Sequence, residues 1–510
     1  MPVFAKVNSL GLFGLNAFSV EVEISVNKGL PRFEIVGLPD TAVQESRERI
    51  KSALYTCGIV FPTNNAVVNL APADLRKNGS MHDLAIFMAI LAALGRVTVP
   101  EDCAIIGEVS LNGDVRRVSG VLPMTLLAKK NGIRTIFVPL ENAKEAAVVD
   151  GITVYGVPNA AALLAHLENA EKLQPMQHIG LSEAAMPPVP DFADVHGQSA
   201  AKYALELAAA GGHNALLIGP PGSGKSMLAK RMPGILPELT FQESIETTMI
   251  HSVAGTLDSE HPLIAVRPFR SPHHTISAAG LAGGGTIPHP GEISLAHNGL
   301  LFLDELAEFD RRTLEILRQP LEDREVTISR AAGTVKYPCT IMLIAAMNPC
   351  PCGYLGHPTR KCTCTKNAAA NYLNRVSGPL LDRFDLHIEA APVSFDDLSS
   401  KKQEESSAEI RKRVVKTRAI QLERFKGTSI TCNARITPDK LQQFCPMTDR
   451  ATQRLKKVFD QLGLSARAYD RLLKVARTAA DMQGEEVIGE QHIAQAVQYR
   501  TLDRKYWQVN

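Results

Sequence analysis

The sequence predicts a multidomain α/β protein that is built around a parallel sheet, and three observations lead to this fold class. The chain has 510 residues, which is too long for one hydrophobic core. Several short apolar runs end in glycine or polar residues, as buried parallel strands do at the sheet edge where ligands bind. Residues 434–500 instead show apolar positions at helical spacing in two or three segments, which predicts an α-helical lid.

Composition restricts the class of protein further. With 45% hydrophobic and 21% charged residues, the chain resembles an ordinary globular protein. No apolar run reaches the length of a membrane span, and the N-terminus lacks the layout of a signal peptide. We therefore expect a cytoplasmic protein without a membrane partner. The net charge of +2 requires that any contact with nucleic acid be a local basic patch.

The N-terminal third alternates between strand and helix signals. Residues 18–26 alternate in polarity with a period of two, which predicts a half-exposed strand. Residues 83–94 form an apolar run of helical length, and residues 133–138 form a short buried-strand run. These elements predict an α/β domain over residues 1–170, followed by a linker over residues 171–194 that is rich in proline and polar residues.

A phosphate-binding loop is the most informative motif of the next region. An apolar strand-like run, residues 215–218, precedes it, and residues with helical character follow it. Glycines let backbone N–H groups point toward phosphates, and the positive end of the following helix supports them. Lys225 would reach the β- and γ-phosphates, and the Ser226 hydroxyl would hold Mg²⁺. The motif predicts nucleoside triphosphate binding by Gly219, Pro220, Pro221, Gly222, Ser223, Gly224, Lys225 and Ser226.

A second motif predicts hydrolysis. Residues 300–303 are an apolar run, and two carboxylates, Asp304 and Glu305, follow them about eighty residues after the phosphate loop. At the carboxyl edge of a parallel strand, Asp304 can hold Mg²⁺ while Glu305 acts as the base that polarises the attacking water. The two motifs place an ATPase core at residues 195–392. A highly charged segment, residues 394–421, follows it and predicts an exposed connecting helix or a solvated face.

Four of the nine cysteines lie within fifteen residues, as two C-x-C pairs. Cysteine usage in a chain without a secretion signal favours thiols or metal over disulfides. Four thiolates can bind Zn²⁺ tetrahedrally, and His357 inside the loop could replace one of them. Free thiols on a flexible loop and redox chemistry are the alternatives. We expect a structural zinc ion bound by Cys350, Cys352, Cys362 and Cys364.

Further strings carry a family resemblance. A strand-like run ends in Asn348, and the string SGPLLDRFD occupies residues 377–385. Residues 267–274 (RPFRSPHH) and 280–294 lie between the two ATPase motifs. Together these strings resemble the AAA+ ATPases of the magnesium-chelatase-like family, which carry a hairpin insert in the second core helix. The resemblance implies a connecting helix and an α-helical lid over residues 393–510.

The N-terminal region narrows the resemblance. Residues 71–80 (APADLRKNGS) and the helix that follows are similar to the Lon-protease-like domain of the ComM-like branch, whose members act in competence and branch migration. Met81 or His82 stands where a protease serine would be, and Pro123-Met124 stands at the lysine position. A shifted alignment that pairs Ser80 with Lys129 or Lys130 remains an alternative. We expect a non-catalytic domain used for assembly or DNA contact.

The resemblance also implies roles for four residues. Asn348 looks like the sensor of the γ-phosphate or of the attacking water. Arg383 looks like the arginine finger that serves the ATP of a neighbouring subunit, where a guanidinium would stabilise transition-state charge. A surface ion pair with a neighbouring aspartate is its alternative interpretation. Arg375 is a second candidate for the bridging arginine, and Arg467 resembles the second sensor, which contacts ATP.

Two inserts suggest what the ATPase acts on. Residues 267–285 and 326–336 resemble hairpins that could line a central pore. Their basic and hydroxyl side chains suit phosphate contacts without sequence preference, and Phe269 is their one aromatic residue. We therefore favour a homo-hexameric DNA helicase or translocase, acting on single-stranded or branched DNA, over a protein-remodelling or metal-insertion chaperone. A histidine metal site is disfavoured, since no H-x-x-x-H spacing joins His273, His274, His289 and His297.

Overall fold

The structure is a computed structural model that describes residues 3–61, 65–181, 188–331, 333–392 and 404–507. Parts of the predicted linker and of the charged segment that follows the core therefore lie outside the described residues. Every helix within the described ranges is too short or too polar to span a membrane.

The N-terminal region is a seven-stranded mixed sheet with helices packed on it. Its strand order is β3-β4-β2-β1-β5-β8-β9, with β1, β2 and β4 antiparallel neighbours and the remaining pairs parallel. The strands are β1 (Val3–Phe13), β2 (Asn16–Asn27), β3 (Arg32–Val36), β4 (Asn65–Ala71), β5 (Cys103–Ile105), β6 (Glu108–Val109), β7 (Val115–Arg116), β8 (Thr135–Pro139) and β9 (Thr153–Val157). β6 and β7 form a separate two-stranded ladder. The strands predicted at residues 18–26 and 133–138 are both present.

Among the residues described, five α-helices accompany this sheet: α1 (Thr41–Thr56), α2 (Asp83–Ala93), α3 (Val121–Lys130), α4 (Ala143–Ala146) and α5 (Ala160–Leu167). α2 is apolar on every side, and all but one of its residues are buried. A helix without a polar face must lie inside a domain, so α2 forms the centre of the N-terminal core. The side chain of Asp40 caps α1 by accepting a hydrogen bond from the Val43 amide at 2.9 Å.

The second region contains a five-stranded parallel sheet in the order β11-β14-β17-β10-β18. Its strands are β10 (Ala215–Ile218), β11 (Phe269–Arg270), β14 (Leu300–Leu303), β17 (Met342–Met347) and β18 (Leu386–Glu389). β10, β14 and β17 are buried at every residue, as strands covered on both faces must be. Because all strands are parallel, their carboxyl ends share one edge of the sheet and their amino ends share the opposite edge.

In the described part of this region, nine α-helices surround the sheet: α6 (Ser199–Gly211), α7 (Lys225–Ile235), α8 (Phe241–Ala254), α9 (Ala278–Ala282), α10 (Glu292–Leu295), α11 (Arg311–Ile316), α12 (Arg318–Asp323), α13 (Lys366–Leu373) and α14 (Gly378–Leu381). Two small ladders project between them, β12 (Gly283–Gly284) with β13 (His289–Pro290), and β15 (Glu325–Arg330) with β16 (Gly333–Pro338). A capping box between Thr240 and Glu243 fixes the start of α8.

The C-terminal region is helical, as the apolar spacing predicts. Its helices are α15 (Ser407–Arg424), α16 (Leu441–Phe444), α17 (Asp449–Leu462), α18 (Ala466–Gln483) and α19 (Glu490–Gln498), and a short π-helix follows at Asp503–Trp507. The described end of the charged segment forms α15, which buries Ile410 and Val414 in the hydrophobic core. α15 is therefore packed along one face and exposed along the other.

The first predicted insert differs from the expectation. The segment 267–285 is not a self-contained hairpin. Its first strand, β11, joins the parallel sheet beside β14, and β12 near its end pairs with β13, which lies beyond the segment. Arg267 pairs with Glu243 at 3.1 Å, and Arg270 pairs with Glu292 at 2.6 Å. Both guanidiniums are therefore engaged in ion pairs within the fold, so a phosphate contact would require them to exchange partners.

The second predicted insert is a hairpin, as expected. β15 and β16 pair antiparallel, with Thr327 opposite Lys336 and Ser329 opposite Thr334. One face of the hairpin is buried, and the N-terminal β1–β2 turn packs on it through the contact of Phe13 with Gly333. The opposite face presents hydroxyl and basic side chains to solvent.

Candidate functional site

The phosphate loop connects a buried strand to a helix. α7 begins at Lys225, directly after the loop that follows β10. Gly224 precedes α7 with φ of +82°, a left-handed conformation that a side chain would strain. A helix start that opens on a cavity is a binding site for phosphate groups. The cavity measures about 400 Å³, and its lining includes Pro221, Gly222, Ser223, Gly224, Lys225, Ser226, Asp304, Glu305 and Asn348.

Lys225 is folded back onto its own loop. Its ammonium donates hydrogen bonds of 2.8 Å to the carbonyl oxygens of Gly219 and Pro220, and it lies 3.3 Å from Asn348 Oδ1. Burial lowers the pKa of Lys225 to about 8, although the nearby carboxylates Asp304 and Glu305 oppose this shift. A partly desolvated lysine gains strongly from a phosphate anion, which suits the role that the motif predicts.

Ser226 and Asp304 form a second pair of the cavity. The Ser226 hydroxyl donates to Asp304 Oδ2 at 2.5 Å, so a hydroxyl oxygen and a carboxylate oxygen are adjacent. These are the hard oxygen ligands that Mg²⁺ prefers in nucleotide sites. The residues present therefore fit the magnesium ion that the sequence predicts.

Glu305 follows Asp304 at the carboxyl edge of the sheet. It has φ of +53°, an unusual conformation for a residue with a side chain. Its Oε2 lies 3.5 Å from His274 Nδ1, and the His274 ring packs edge-on against Phe309. From the sequence, His274 is expected only as a residue of a pore loop or, as a disfavoured alternative, as a metal ligand. Its placement beside the expected catalytic base depends on a contact between residues far apart in the chain.

Asn348 lies where the sensor is expected. It directly follows β17, the strand between β10 and β14 in the sheet, so its side chain reaches the same cavity as the phosphate loop. The structure thus brings together Lys225, Ser226, Asp304, Glu305 and Asn348 from three neighbouring parallel strands.

Arg383 lies at the opposite edge of the same sheet. It precedes β18, and its guanidinium pairs with Glu322 at 2.6 Å. It also donates to the carbonyl oxygens of Arg318, at 3.1 Å, and Pro379. The side chain is only 5% exposed. The expected alternative of an ion pair with Asp382 or Asp385 does not describe this arrangement, because Glu322 is the acidic partner.

Arg467 lies on the same side of the sheet as Arg383, away from the phosphate loop of its own chain. It lines a separate cavity of about 330 Å³ together with residues that precede the strands, such as Asn214 and Asp385. Arg471, one helical turn further along α18, pairs with Asp385 at 2.9 Å. This ion pair fixes α18 at the amino edge of the sheet.

Asp385 makes further contacts between the amino edge of the sheet and the helical region. Its carboxylate also lies 3.3 Å from His213 Nδ1, and His213 Nε2 lies 2.8 Å from the Thr478 hydroxyl on α18. Burial would favour the neutral acid, yet Arg471 and His213 hold the pKa of Asp385 far below its ordinary value. The charged carboxylate is therefore a stable anchor for α18.

Arg375, the second candidate for the bridging arginine, is exposed. It pairs with Glu308 at 3.0 Å, and its side chain is 55% exposed. Because exposed ion pairs contribute little stability, this guanidinium is free to exchange partners at low cost.

The four cysteines of the C-x-C pairs converge. Their sulfur atoms all lie within 4.8 Å of one another. The Cys350, Cys352 and Cys362 sulfurs are 3.5–3.7 Å apart. A tetrahedron with Zn–S bonds of about 2.3 Å has edges of about 3.8 Å, so the spacing fits zinc. Hydrogen bonding from the Tyr354 amide lowers the pKa of the Cys352 thiol to about 5.

The histidines do not form a comparable group. Among the described residues, the four cysteines are the only cluster of potential metal ligands. His357 Nδ1 accepts hydrogen bonds from the amides of Thr359, at 3.2 Å, and Arg360, at 3.0 Å, so it is not placed as a fifth member of the cluster. His297 is buried, and its Nδ1 accepts from the Thr340 amide at 3.0 Å.

The described part of the N-terminal region does not bring a serine and a lysine together where a protease would have its catalytic pair. The Ser80 hydroxyl donates to the Glu108 carboxylate, and Pro123 and Met124 are buried within α3. Lys129 lies at the end of α3 beside Gly151. No hydrogen bond or ion pair joins Ser80 to a lysine among the described residues, so the alternative Ser–Lys pairing has no support in these contacts.

Family comparisons cover most of the chain. Three models match in succession: subunit ChlI of Mg-chelatase over residues 22–142, magnesium chelatase subunit ChlI over residues 191–398, and the C-terminal part of the same subunit over residues 404–500. The N-terminal region also resembles a protease, with 26% identity over 174 residues to Lon protease 2 of Bacillus subtilis, about 31% of each chain.

Relatives match over nearly the full length. The competence protein ComM of Haemophilus influenzae is 42% identical over 508 residues, which is 98% of each chain. The protein YifB of Escherichia coli K12 is 42% identical over 504 residues, which is 98% of this chain and 97% of YifB. These matches agree with the parallel sheet, the phosphate loop and the Lon-like N-terminal region. The chain therefore belongs to the magnesium-chelatase-like family of AAA+ ATPases, as a ComM-like member.

Proposed function

We propose that the protein is an ATP-driven, homo-hexameric motor that moves single-stranded or branched DNA, as a helicase or branch-migration translocase. The observation that carries this proposal is the β15–β16 hairpin, whose exposed face presents hydroxyl and basic groups and no aromatic side chain. Such a face suits the phosphate backbone of DNA better than the side chains of a protein.

Hydrolysis is proposed to occur at the edge where β10, β14 and β17 end. Lys225 neutralises phosphate charge, Glu305 polarises the attacking water, and Asn348 orients the water or the γ-phosphate. Ser226 and Asp304 would hold Mg²⁺, which neutralises phosphate charge when it is bound. The short distances from Lys225 to Asn348 and from Ser226 to Asp304 support this assignment.

Arg383 and Arg467 are proposed to complete the ATP site of the adjacent copy. In support, they lie at the amino edge of the sheet, while the phosphate loop of the same chain lies at the carboxyl edge. The four residues of β10 separate these edges by about 13 Å. Neighbours in a ring meet through different surfaces, so an arginine far from its own nucleotide can face that of the next copy. Arg375 is the second candidate for this role.

The hairpin can be tested by substitution. We expect Arg330→Ala and Lys336→Ala to lower the stimulation of ATP hydrolysis by DNA, while leaving turnover without DNA unchanged. Each lost phosphate contact should also reduce the salt dependence of DNA binding by about one unit of slope. Lys426→Ala is the matched control, because the exposed Lys426, in the turn after α15, pairs with the exposed Glu423 much as Lys336 pairs with Glu325 on the hairpin. Unchanged stimulation in both hairpin variants would remove this surface from the DNA path.

We further propose that the four-cysteine cluster binds zinc. We expect about one zinc ion per chain in purified, reduced protein, because four thiolates at tetrahedral spacing form a closed site. Cys352→Ser should lose most of the zinc, and Cys57→Ser, which changes a cysteine outside the cluster, should keep it. Elemental analysis measures both. Wild-type protein without metal would contradict the assignment and leave four free thiols.

A protein-remodelling ATPase is the second candidate, favoured by the match to a magnesium chelatase subunit. Stimulation of ATP hydrolysis by a partner protein, in the absence of any stimulation by DNA, would support it. The N-terminal Lon-like region, residues 1–170, is proposed to assemble the ring or contact DNA without protease activity. Its contact with the hairpin through Phe13 and Gly333 supports a role close to the DNA path.

A further inference from the structure

The four-cysteine loop lies directly against the phosphate loop. Gly353, between two of the cysteines, is buried and has φ of +82°. A side chain at Gly353 would overlap the ring of Pro221, the third residue of the phosphate loop. The two loops therefore approach each other as closely as a glycine allows. Neither Gly353 nor Pro221 is itself one of the residues that are expected to bind the metal.

The cysteine loop also begins next to Asn348, the expected sensor. Cys350 is buried, and only Pro349 separates it from Asn348, whose Oδ1 lies 3.3 Å from the Lys225 ammonium. The loop that carries the cysteines is therefore next to the nucleotide cavity at two points. Asn348 precedes the loop, and Gly353 lies within it.

The cysteine loop also contacts the C-terminal segment of the chain. Gly356 lies beside Lys505 and Tyr506 of the C-terminal π-helix. Lys505 pairs with Glu389 at 2.5 Å, and Glu389 is the last residue of β18, the strand beside β10. The loop therefore contacts both the phosphate loop and the C-terminal segment, while residues 358–361 are exposed.

The position of this loop depends on what holds the four sulfurs together. Metal binding requires deprotonated thiols, and four thiolates within 4.8 Å repel one another unless a cation lies between them. The loop between Cys352 and Cys362 contains no helix or strand that could fix its shape. A metal ion would remove the repulsion and close the loop, which determines where Gly353 lies.

We propose that the metal-bound cysteine loop is a structural wall of the ATP site, in which Gly353 supports Pro221 and the Cys350 end supports Asn348. The proposal rests on metal binding by the four cysteines. It makes Gly353 a positioning residue for the phosphate loop, and it makes ATP affinity depend on metal occupancy at a site that does not touch ATP.

Two glycines of the loop provide a matched test. Gly353 and Gly356 both have positive φ, but a side chain at Gly356 would meet no atom closer than 3.7 Å. Gly353→Ala and Gly356→Ala therefore share the same backbone strain, and only the first forces Pro221 to move. We expect both variants to keep the zinc, and we expect Gly353→Ala alone to weaken ATP affinity by about fivefold or more. Titration with a fluorescent ATP analogue measures the affinity. Equal affinity of the two zinc-containing variants would overturn the proposal.

Metal exchange provides the second arm. Removing zinc with a zinc-selective chelator, at constant Mg²⁺, should weaken binding of the ATP analogue. Adding Co²⁺ should restore affinity in step with the cobalt–thiolate absorption band, which reports a filled site. Full ATP affinity in the metal-free protein would overturn the proposal. Wild-type protein that never contains metal would instead contradict zinc binding, and the glycine pair would still test the contact between the loops.

Discussion

Glu305→Gln is expected to keep ATP binding and to lower ATP turnover by about 10²–10⁴-fold, because the attacking water loses the carboxylate that polarises it. The amide keeps the size of the side chain, so the cavity and the contact with His274 lose only the charge. Turnover is measured under saturating ATP, and affinity is measured by titration with a fluorescent ATP analogue. Glu315→Gln on α11 is the control, since Glu315 bonds to Ser377 and Arg318 outside the cavity.

Turnover of Glu305→Gln within a few-fold of wild type would show that another group is the base. Loss of ATP binding would point to a different error, namely that Glu305 helps to hold the nucleotide. A normal Glu315→Gln enzyme is required for either conclusion.

Arg383→Ala is expected to bind ATP normally and to lose about 10³-fold or more of its turnover, because the neighbouring ATP loses a transition-state cation. Mixing it with Lys225→Ala protein tests the intersubunit role. Each variant alone should be inactive. In random equimolar rings, about one interface in four pairs an intact phosphate loop with an intact finger, so partial activity should return.

The mixing experiment also distinguishes the candidate arginines. Arg375→Ala and Arg467→Ala are tested in the same way, and recovery with Lys225→Ala identifies each residue that acts on the next copy. No recovery with Arg383→Ala, with mixed rings demonstrated, would contradict the intersubunit finger at this residue. Arg383→Lys provides a check on folding, because it keeps a cation near Glu322.

Local motifs made much of the ATP site predictable from sequence. The phosphate loop is a continuous segment, and β10 and α7 flank it as the residue pattern predicts. The carboxylate strand and the sensor strand are short apolar runs that directly precede the proposed site residues, and parallel pairing then brings those ends together. The cysteine cluster was predictable for a similar reason, because a single short loop is enough to bring the two C-x-C pairs together.

Contacts between distant residues were not predictable in the same way. The sequence alone does not predict the ion pairs of Arg267 and Arg270, because their partners, Glu243 and Glu292, lie 24 and 22 positions away. The position of Arg467 depends on the pair of Arg471 with Asp385, 86 positions apart, which fixes α18 at the amino edge. Such ion pairs follow from tertiary packing and leave no periodic pattern in the sequence.

The most direct test of the proposed DNA motor is ATP turnover measured with and without DNA. Wild-type protein, Glu305→Gln protein and the two hairpin variants are compared on single-stranded, forked and duplex DNA of equal length, with a folded protein of similar charge as a control additive. The account predicts that single-stranded or forked DNA stimulates wild-type turnover, that the hairpin variants lose this stimulation, and that Glu305→Gln protein stays inactive on every DNA. Wild-type turnover that is unchanged by every DNA under conditions where the ring assembles would contradict the account.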